Sequence, residues 1–489
     1  MKMKQLKTIL CSLPFVFAAV GCSQDELTDA ATGGSGEQAQ QVTITFDMGA
    51  EAEVQTRSAV QRPVISSDDW QRVTDVRIYA FVSDELEGDA NYRFAPGVFP
   101  GGKDYYYVDD YAETKKDWKD DDIWGDSDGE TEDEQYTITV SPTLKNRKYY
   151  KFLAIGRDDI SEDGTEIEKE NPLRGTWSTP EWNSETTLAT ASLTCNNGIA
   201  CSEMFSGCSE AVYIKGPETY DGGTIELKRI VAGMMMYLKN IPSQITPLPE
   251  SGFENDTKKA VYRVSICPLQ YIEEVLVAQD MTEGDGISAE KPGHGKPASD
   301  KYRSNKYSNG ATNYPFYHEY VSVDVHSEES NSWGIEDKDG YLNSTKGNGL
   351  LAGNFVLPQD NSPLTPIEKD IDKSLYLVFW TQTSKQELRL ESTDTEGGNI
   401  NIACNKDYRP IYWIPIKIEG MDDLKAPYKF PILGNHFYSL GTYNKEKNED
   451  LPIDLSKHNF GNKTESIVPA LRVISPEEWP DILKPASTN

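Results

Sequence analysis

The strongest constraint on this chain is a two-residue period in its hydrophobicity that recurs along its length. In Gln41-Val42-Thr43-Ile44-Thr45-Phe46-Asp47-Met48, the apolar residues Val42, Ile44, Phe46 and Met48 fall on one side and Thr43, Thr45 and Asp47 on the other. Successive side chains of a strand point to opposite faces, so this pattern spells a half-buried strand. The same reading gives strands at 73–82, 136–140, 149–155, 261–267, 274–278, 320–325, 375–381, 387–390, 400–403, 411–418, 436–443 and 470–474. The apolar stretch from Thr224 to Leu238 starts with β-branched residues and carries Gly233, which favours one long buried strand over a helix. Helical periodicity is scarce, and 37 glycines, 27 prolines and 26 tyrosines suit strands joined by polar loops. With 489 residues there is material for more than one core. The expectation is an all-β fold of two β-sandwich domains in tandem, 58–285 and 286–489, with the polar stretch 281–315 at their junction.

The first 22 residues are of another kind. Lys2, Lys4 and Lys7 form a positive start, and Thr8 to Val20 is an apolar run too short to span a bilayer. Ala19 and Gly21 before Cys22 make a lipobox, so residues 1–21 read as a lipoprotein signal peptide and Cys22 as the lipidation site, carrying acyl chains such as palmitate. This expects export and a precursor tethered at a membrane surface. Residues 23–40 are small and polar, as in a flexible tether. Removal of residues 1–21 takes away three lysines and no acids, moving the net charge from -31 to about -34. That field repels nucleic acid and anionic headgroups.

No chemistry stands out. There is no phosphate loop, no dinucleotide fingerprint and no nucleophile elbow. The five histidines are dispersed, and His436 reads as a packed strand residue. The expectation is no enzyme, no cofactor and no metal. The acidic loop around 120–133 has oxygen ligands for calcium but fails the EF-hand frame, since Ile123, Trp124 or Gly125 falls into ligand slots. It reads as a solvated loop. Of the cysteines beyond the signal and Cys22, namely Cys195, Cys201, Cys208, Cys267 and Cys404, the number is odd, so at least one is free or pairs between chains. One local disulfide and buried free thiols both remain open. Tryptophans such as Trp118, Trp124, Trp177, Trp182 and Trp333 allow an alternative, a monomeric glycan-binding surface lipoprotein, if they are exposed for sugar stacking.

Four pieces in fixed order add to this. They are the early strand followed by Thr56-Arg57-Ser58; Val76-Arg77-Ile78-Tyr79-Ala80-Phe81; Glu226-Leu227-Lys228-Arg229-Ile230-Val231-Ala232; and Asn435-His436-Phe437-Tyr438-Ser439-Leu440-Gly441 with Leu451-Pro452-Ile453-Asp454-Leu455-Ser456. Together they resemble the fimbrillins of Bacteroidales, subunits of type V pili, and look closest to the shaft subunits of the minor-fimbrium type.

The resemblance implies transthyretin-like, Greek-key sandwiches and a donor-strand mechanism. The precursor travels as a lipoprotein to the outer membrane. An arginine-specific protease then cuts between Arg57 and Ser58, with Arg62 and Arg72 as alternative sites. The piece 22–57, with an edge strand bearing Val42, Ile44, Phe46 and Met48, is removed, and the empty groove takes an extended segment of another subunit. The donor would be the segment at about 467–482, with Leu471, Val473 and Ile482 as its apolar residues. Pro476 and Pro480 limit its pairing. The implied partners are copies of itself or other pilus subunits, the protease, and a host glycan or protein receptor. The implied place is the cell surface, in a fimbrium serving adhesion. An anchor or tip position in the same pilus is a variant of this reading.

Overall fold

The structure is a computed structural model that describes residues 37–47, 75–108, 136–157, 174–196, 200–201, 204–253, 257–280, 294–297, 303–304, 307–308, 313–314, 316, 318–325, 333–336, 341–344, 350–359, 374–393, 399–419, 430–444, 449–460 and 469–474. Among them the helical turns are 3-10 segments at Asp89–Asn91, Leu188–Thr190, Pro249–Ser251 and Leu455–Lys457. No helix of the described residues is long and apolar enough to cross a membrane. The fold is all-β, as the period-two pattern demands.

The strands that frame the argument are β1 Gln41–Asp47, β2 Asp75–Ser83, β3 Tyr136–Val140, β4 Lys148–Arg157, β5 Met204–Cys208, β6 Thr219–Glu226 and β7 Ala232–Lys239. They continue with β8 Arg263–Pro268, β9 Leu350–Val356, β10 Leu375–Thr393, β11 Asn399–Ile418, β12 Phe437–Leu440 and β13 Ala470–Ile474. One three-stranded sheet has the order β6–β1–β3. A second sheet runs from Lys228–Arg229 through β5, β4 and β2 to Arg93–Phe94. The largest sheet contains the run β9–β7–β12–β13–β11–β10–β8.

Among the described residues, the three largest hydrophobic clusters hold most of these sheets, and a small fourth gathers Cys267, Phe316, Val378 and Trp380. In the first, Val42, Ile44 and Phe46 of β1 meet Val76, Ile78 and Ala80 of β2, Phe152 and Ala154 of β4, and Ile225 of β6. The second takes the opposite faces of the same two strands, Tyr79 and Phe81 of β2 with Leu153 and Ile155 of β4, and adds Met235, Phe355 and Phe437. The third gathers Met234, Met236 and Leu238 of β7 with Val264, Ile266, Leu377, Phe379, Ile414, Tyr438 and Leu471. The sheet of β2 and β4 is therefore buried on both faces, which is why Val76-Arg77-Ile78-Tyr79-Ala80-Phe81 is nearly unbroken in its apolarity.

Several expectations are corrected. The stretch 224–238 is not one strand. It ends β6 at Glu226, pairs Lys228–Arg229 with β5, and starts β7 at Ala232. Its apolar residues recur along the whole stretch because Leu227, then Ile230 and Val231, then Met234 enter the three large clusters in turn. The segments 375–381 and 387–390 fuse into β10, and 400–403 and 411–418 into β11, giving a hairpin of 19- and 20-residue arms. The polar stretch 281–315 contributes short strands, among them His294–Pro297 against Glu274–Asp280 and Tyr307–Ser308 against β10. The tether does not remain polar coil to its end. Glu37–Ala39 pairs with Thr143–Lys145, and Gln40 is buried. Finally, β1 is no edge strand but the middle of its sheet. Alternation reports a buried face, and a buried face is the same for an edge and a centre.

Candidate functional site

The slot around β1 is set by two ladders. β1 runs antiparallel to β3, with Val42 opposite Val140, Ile44 opposite Ile138 and Phe46 opposite Tyr136. On the other side it runs parallel to β6, from Gln41 opposite Thr219 to Asp47 opposite Glu226. Val42, Ile44 and Phe46 are at most 1% exposed. Burying each stabilises by about 1.5–3 kcal/mol. The outward face is a threonine ladder, with hydroxyls of Thr43 and Thr139 3.5 Å apart and of Thr45 and Thr137 3.1 Å apart.

The slot is closed at its start by Gln40. Its side-chain Oε1 accepts from the Leu144 N–H at 2.9 Å, and its Nε2 donates to the Leu144 carbonyl at 3.4 Å. Its own N–H donates to the Pro142 carbonyl at 2.9 Å. On the β6 side the ladder carries a bulge between Asp221 and Thr224. Gly222 and Gly223 together stand opposite Ile44, one residue more than the partner supplies. The Gly223 N–H donates to Asp221 Oδ1 at 2.9 Å, and Gly223 has φ +75°. Without β1, the inner edges of β3 and β6 would be left without ladder partners and three apolar sites would be empty, a template for another strand.

The C-terminal strand β13 is also a middle strand. It runs antiparallel to β12, from Phe437 opposite Ile474 to Leu440 opposite Leu471, and parallel to β11 at Lys417 and Ile418. In this single chain it pairs with its own molecule. Leu471 is fully buried and Val473 is half-buried. The N–H groups of Lys417 and Glu419 donate to the carbonyls of Pro469 and Leu471 at 3.0 and 2.8 Å.

The two motifs that lie far apart in the sequence meet between these slots. β7 runs parallel to β12, Gly233 opposite Phe437 through Met236 opposite Leu440. The Asn435 N–H donates to the Val231 carbonyl and the Gly233 N–H to the His436 carbonyl, both at 2.9 Å. The buried Arg229 guanidinium lies over the Phe205 ring at 4.9 Å and donates to Asn435 Oδ1 at 3.5 Å. His436 is buried with Nδ1 2.9 Å from the Gly434 carbonyl oxygen; it is packed as expected but sits just ahead of β12 rather than within a strand.

The structure thus brings Val42, Ile44 and Phe46 into one core and Leu471 and Val473 against another. Cys22, Met48, Arg57, Ser58, Arg62, Arg72, Ile482 and the acidic loop lie outside the described residues. Cys195, Cys208 and Cys267 are thiols rather than disulfides, and burial pushes the Cys208 thiol up to about 12, so it stays protonated. Trp177 is buried, and Trp182 packs on Tyr79, Phe81 and Phe94 while its Nε1 donates to the Ser192 carbonyl at 2.9 Å. These two are core anchors, not a sugar platform. Among the described residues no group of three or more His, Cys, Asp or Glu side chains is placed to hold a metal ion.

No protein-family model matches the chain, and no curated protein does. Solved structures similar to it include a candidate cell adhesion protein from Bacteroides eggerthii DSM 20697, 10% identical with a TM-score of 0.34, covering 90% of this chain and 95% of that one. A fimbrilin from Porphyromonas gingivalis W83 is 9% identical with a TM-score of 0.30, covering 88% and 96%. The tip fimbrial protein Mfa3 of Porphyromonas gingivalis, truncated at its C-terminus, is 10% identical with a TM-score of 0.25, covering 82% and 94%. These identities and TM-scores are too low to carry over a role.

Proposed function

We propose that the chain is a structural subunit of a fimbria of the fimbrillin kind, built into a surface fibre that serves adhesion. In this reading Cys22 carries the precursor lipid at the outer membrane, and an arginine-specific protease cuts after Arg57. β1 then leaves, and an extended segment of another copy fills its place, with Leu471 and Val473 in the donor segment at about 467–482. The two-domain division at residues 58–285 and 286–489 belongs to the same reading.

The observation that carries it is the position of β1. It is a middle strand with three fully buried side chains, yet it is the first strand of its core and precedes Arg57 in the sequence. A cut between residues 47 and 75 would sever it from the rest of the core without breaking any strand of the described residues. The slot left behind has two unpaired edges and an apolar floor, which favours strand addition over staying empty. The four sequence pieces support the reading independently of this geometry.

N-terminal sequencing and intact mass of the protein sheared from the cell surface test it. A start at Ser58 without lipid is the expected result. A start at acylated Cys22 on the mature surface form sinks the shaft role and leaves an anchor subunit or a glycan-binding lipoprotein as the better account.

A further inference from the structure

The slot holds more than a generic apolar strand. A β carbon added to Gly222 would sit 2.8 Å from Ile44 Cγ1, 2.8 Å from the Thr43 carbonyl oxygen and 2.9 Å from Val42 Cγ1. Two of these atoms are aliphatic side-chain carbons, a methylene of Ile44 and a methyl of Val42, and the third is backbone that cannot swing aside. Val42 and Ile44 therefore reach into space that exists because residue 222 has no side chain. The bulge that puts Gly222 there is fixed by the Asp221 side chain and by the positive φ of Gly223.

We infer that Gly222 is the register key of the β1 slot, and that the slot accepts an extended segment of the form aliphatic–polar–aliphatic, with the two aliphatic residues straddling Gly222. A slip of one residue would turn Thr43 and Thr45 into the core. A slip of two in one direction would carry the Gln40 amide into the apolar place of Val42 and away from its bonds to Leu144. In the other direction it would set the Phe46 ring against the bulge in the place of Ile44. Each wrong register is penalised by a specific group.

The inference rests on the proposed function only for what fills the slot after β1. In that case Leu471-Arg472-Val473 has the required form. Leu471 takes the place of Val42, Arg472 turns to water beside the threonine ladder, and Val473 takes the place of Ile44.

Hydrogen exchange on the monomeric full chain tests the key. Gly222→Ala is compared with Gly223→Ala, whose added β carbon meets nothing within 4 Å and suffers only from the positive φ. For Gly222→Ala, protection of the Thr43 to Phe46 amides should fall about a hundredfold relative to the Ile78 and Phe152 amides, against about tenfold or less for Gly223→Ala. Adding Ile44→Ala to Gly222→Ala should cost less than the two single changes combined, because the smaller residue relieves part of the clash. The inference is overturned if Gly222→Ala does no more than Gly223→Ala, if the cycle is additive, or if protection is lost equally in β1, β2 and β4, including through failure to fold. Because no polymer is needed, this result stands apart from the N-terminal sequencing. An acylated mature surface form would end the shaft role and leave the register key in place.

Discussion

The two middle strands of this molecule, β1 and β13, are held in the same manner but to different depths. Each has one parallel and one antiparallel neighbour. β1 pairs over five positions with β3 and along its whole length with β6, and it seats three fully buried side chains. β13 pairs over four positions with β12 but only at Ala470 and Leu471 with β11, and Leu471 is its one fully buried side chain among those described. Pro469 at its start also lacks an N–H to give. The two strands therefore leave their slots at unequal cost. Release of β1 forfeits three buried apolar groups and a side-chain clamp, while release of β13 forfeits little more than one anchor and a short ladder. Within one fold, the N-terminal strand is the more firmly seated and the C-terminal strand the more shallowly held of the two.

This contrast is tested most directly at Phe46. Phe46→Ala should lower unfolding free energy by about 3–5 kcal/mol in denaturant melts. A loss no larger than that of an exposed substitution would mean that β1 is not seated as described. Leu471→Ala should cost about 2–4 kcal/mol, and Val473→Ala, being half-buried, about 1 kcal/mol or less. If Val473 proves as costly as Leu471, the shallow hold on β13 is wrong. Gln40→Ala strips the partners from both backbone groups of Leu144 and should cost about 1–3 kcal/mol, with faster exchange of the Leu144 amide as the local signature.

The smallest effect separates the regions by acid. Burial opposes the charge of Asp454, but hydrogen bonds from Asn240 and Ser456 and the field of Lys239 outweigh it and hold the carboxyl below its ordinary value. A depressed carboxyl stabilises the fold above its unfolded value near 4 and loses that contribution as pH falls through the folded value. Asp454→Asn should therefore flatten the acid limb of stability below about pH 4. The change belongs at the Lys239–Asp454 bridge beside β7 and should leave β1 protection unchanged. A steeper limb in the variant would reverse the assignment.

Much of this was legible in the residues. The alternation in Gln41 to Asp47 fixed which side chains of β1 are inward, because the two-residue period is a local property of an extended backbone. The strands at 136–140 and 470–474 lie where the pattern puts them, to the residue. His436 is the packed residue its neighbours suggested. Other parts of the site carried no local signal. Gln40 ends a polar run and reads as tether, and Asp221-Gly222-Gly223 has no apolar alternation to mark it as part of a strand. Both acquire their roles from partners distant in the chain, Leu144 for the first and Val42 to Ile44 for the second.

The residues alone commit the chain to an all-β fold and say which face of each alternating strand seeks a core. They do not say that β1 and β13 are middle strands, that β2 and β4 are buried on both faces, or that Met234 and Met235 enter different clusters; the packing of the whole chain settles these. The reason is physical. A strand's faces are set by its own residues, but its neighbours are supplied by segments far away in the chain, and nothing in a two-residue period names them.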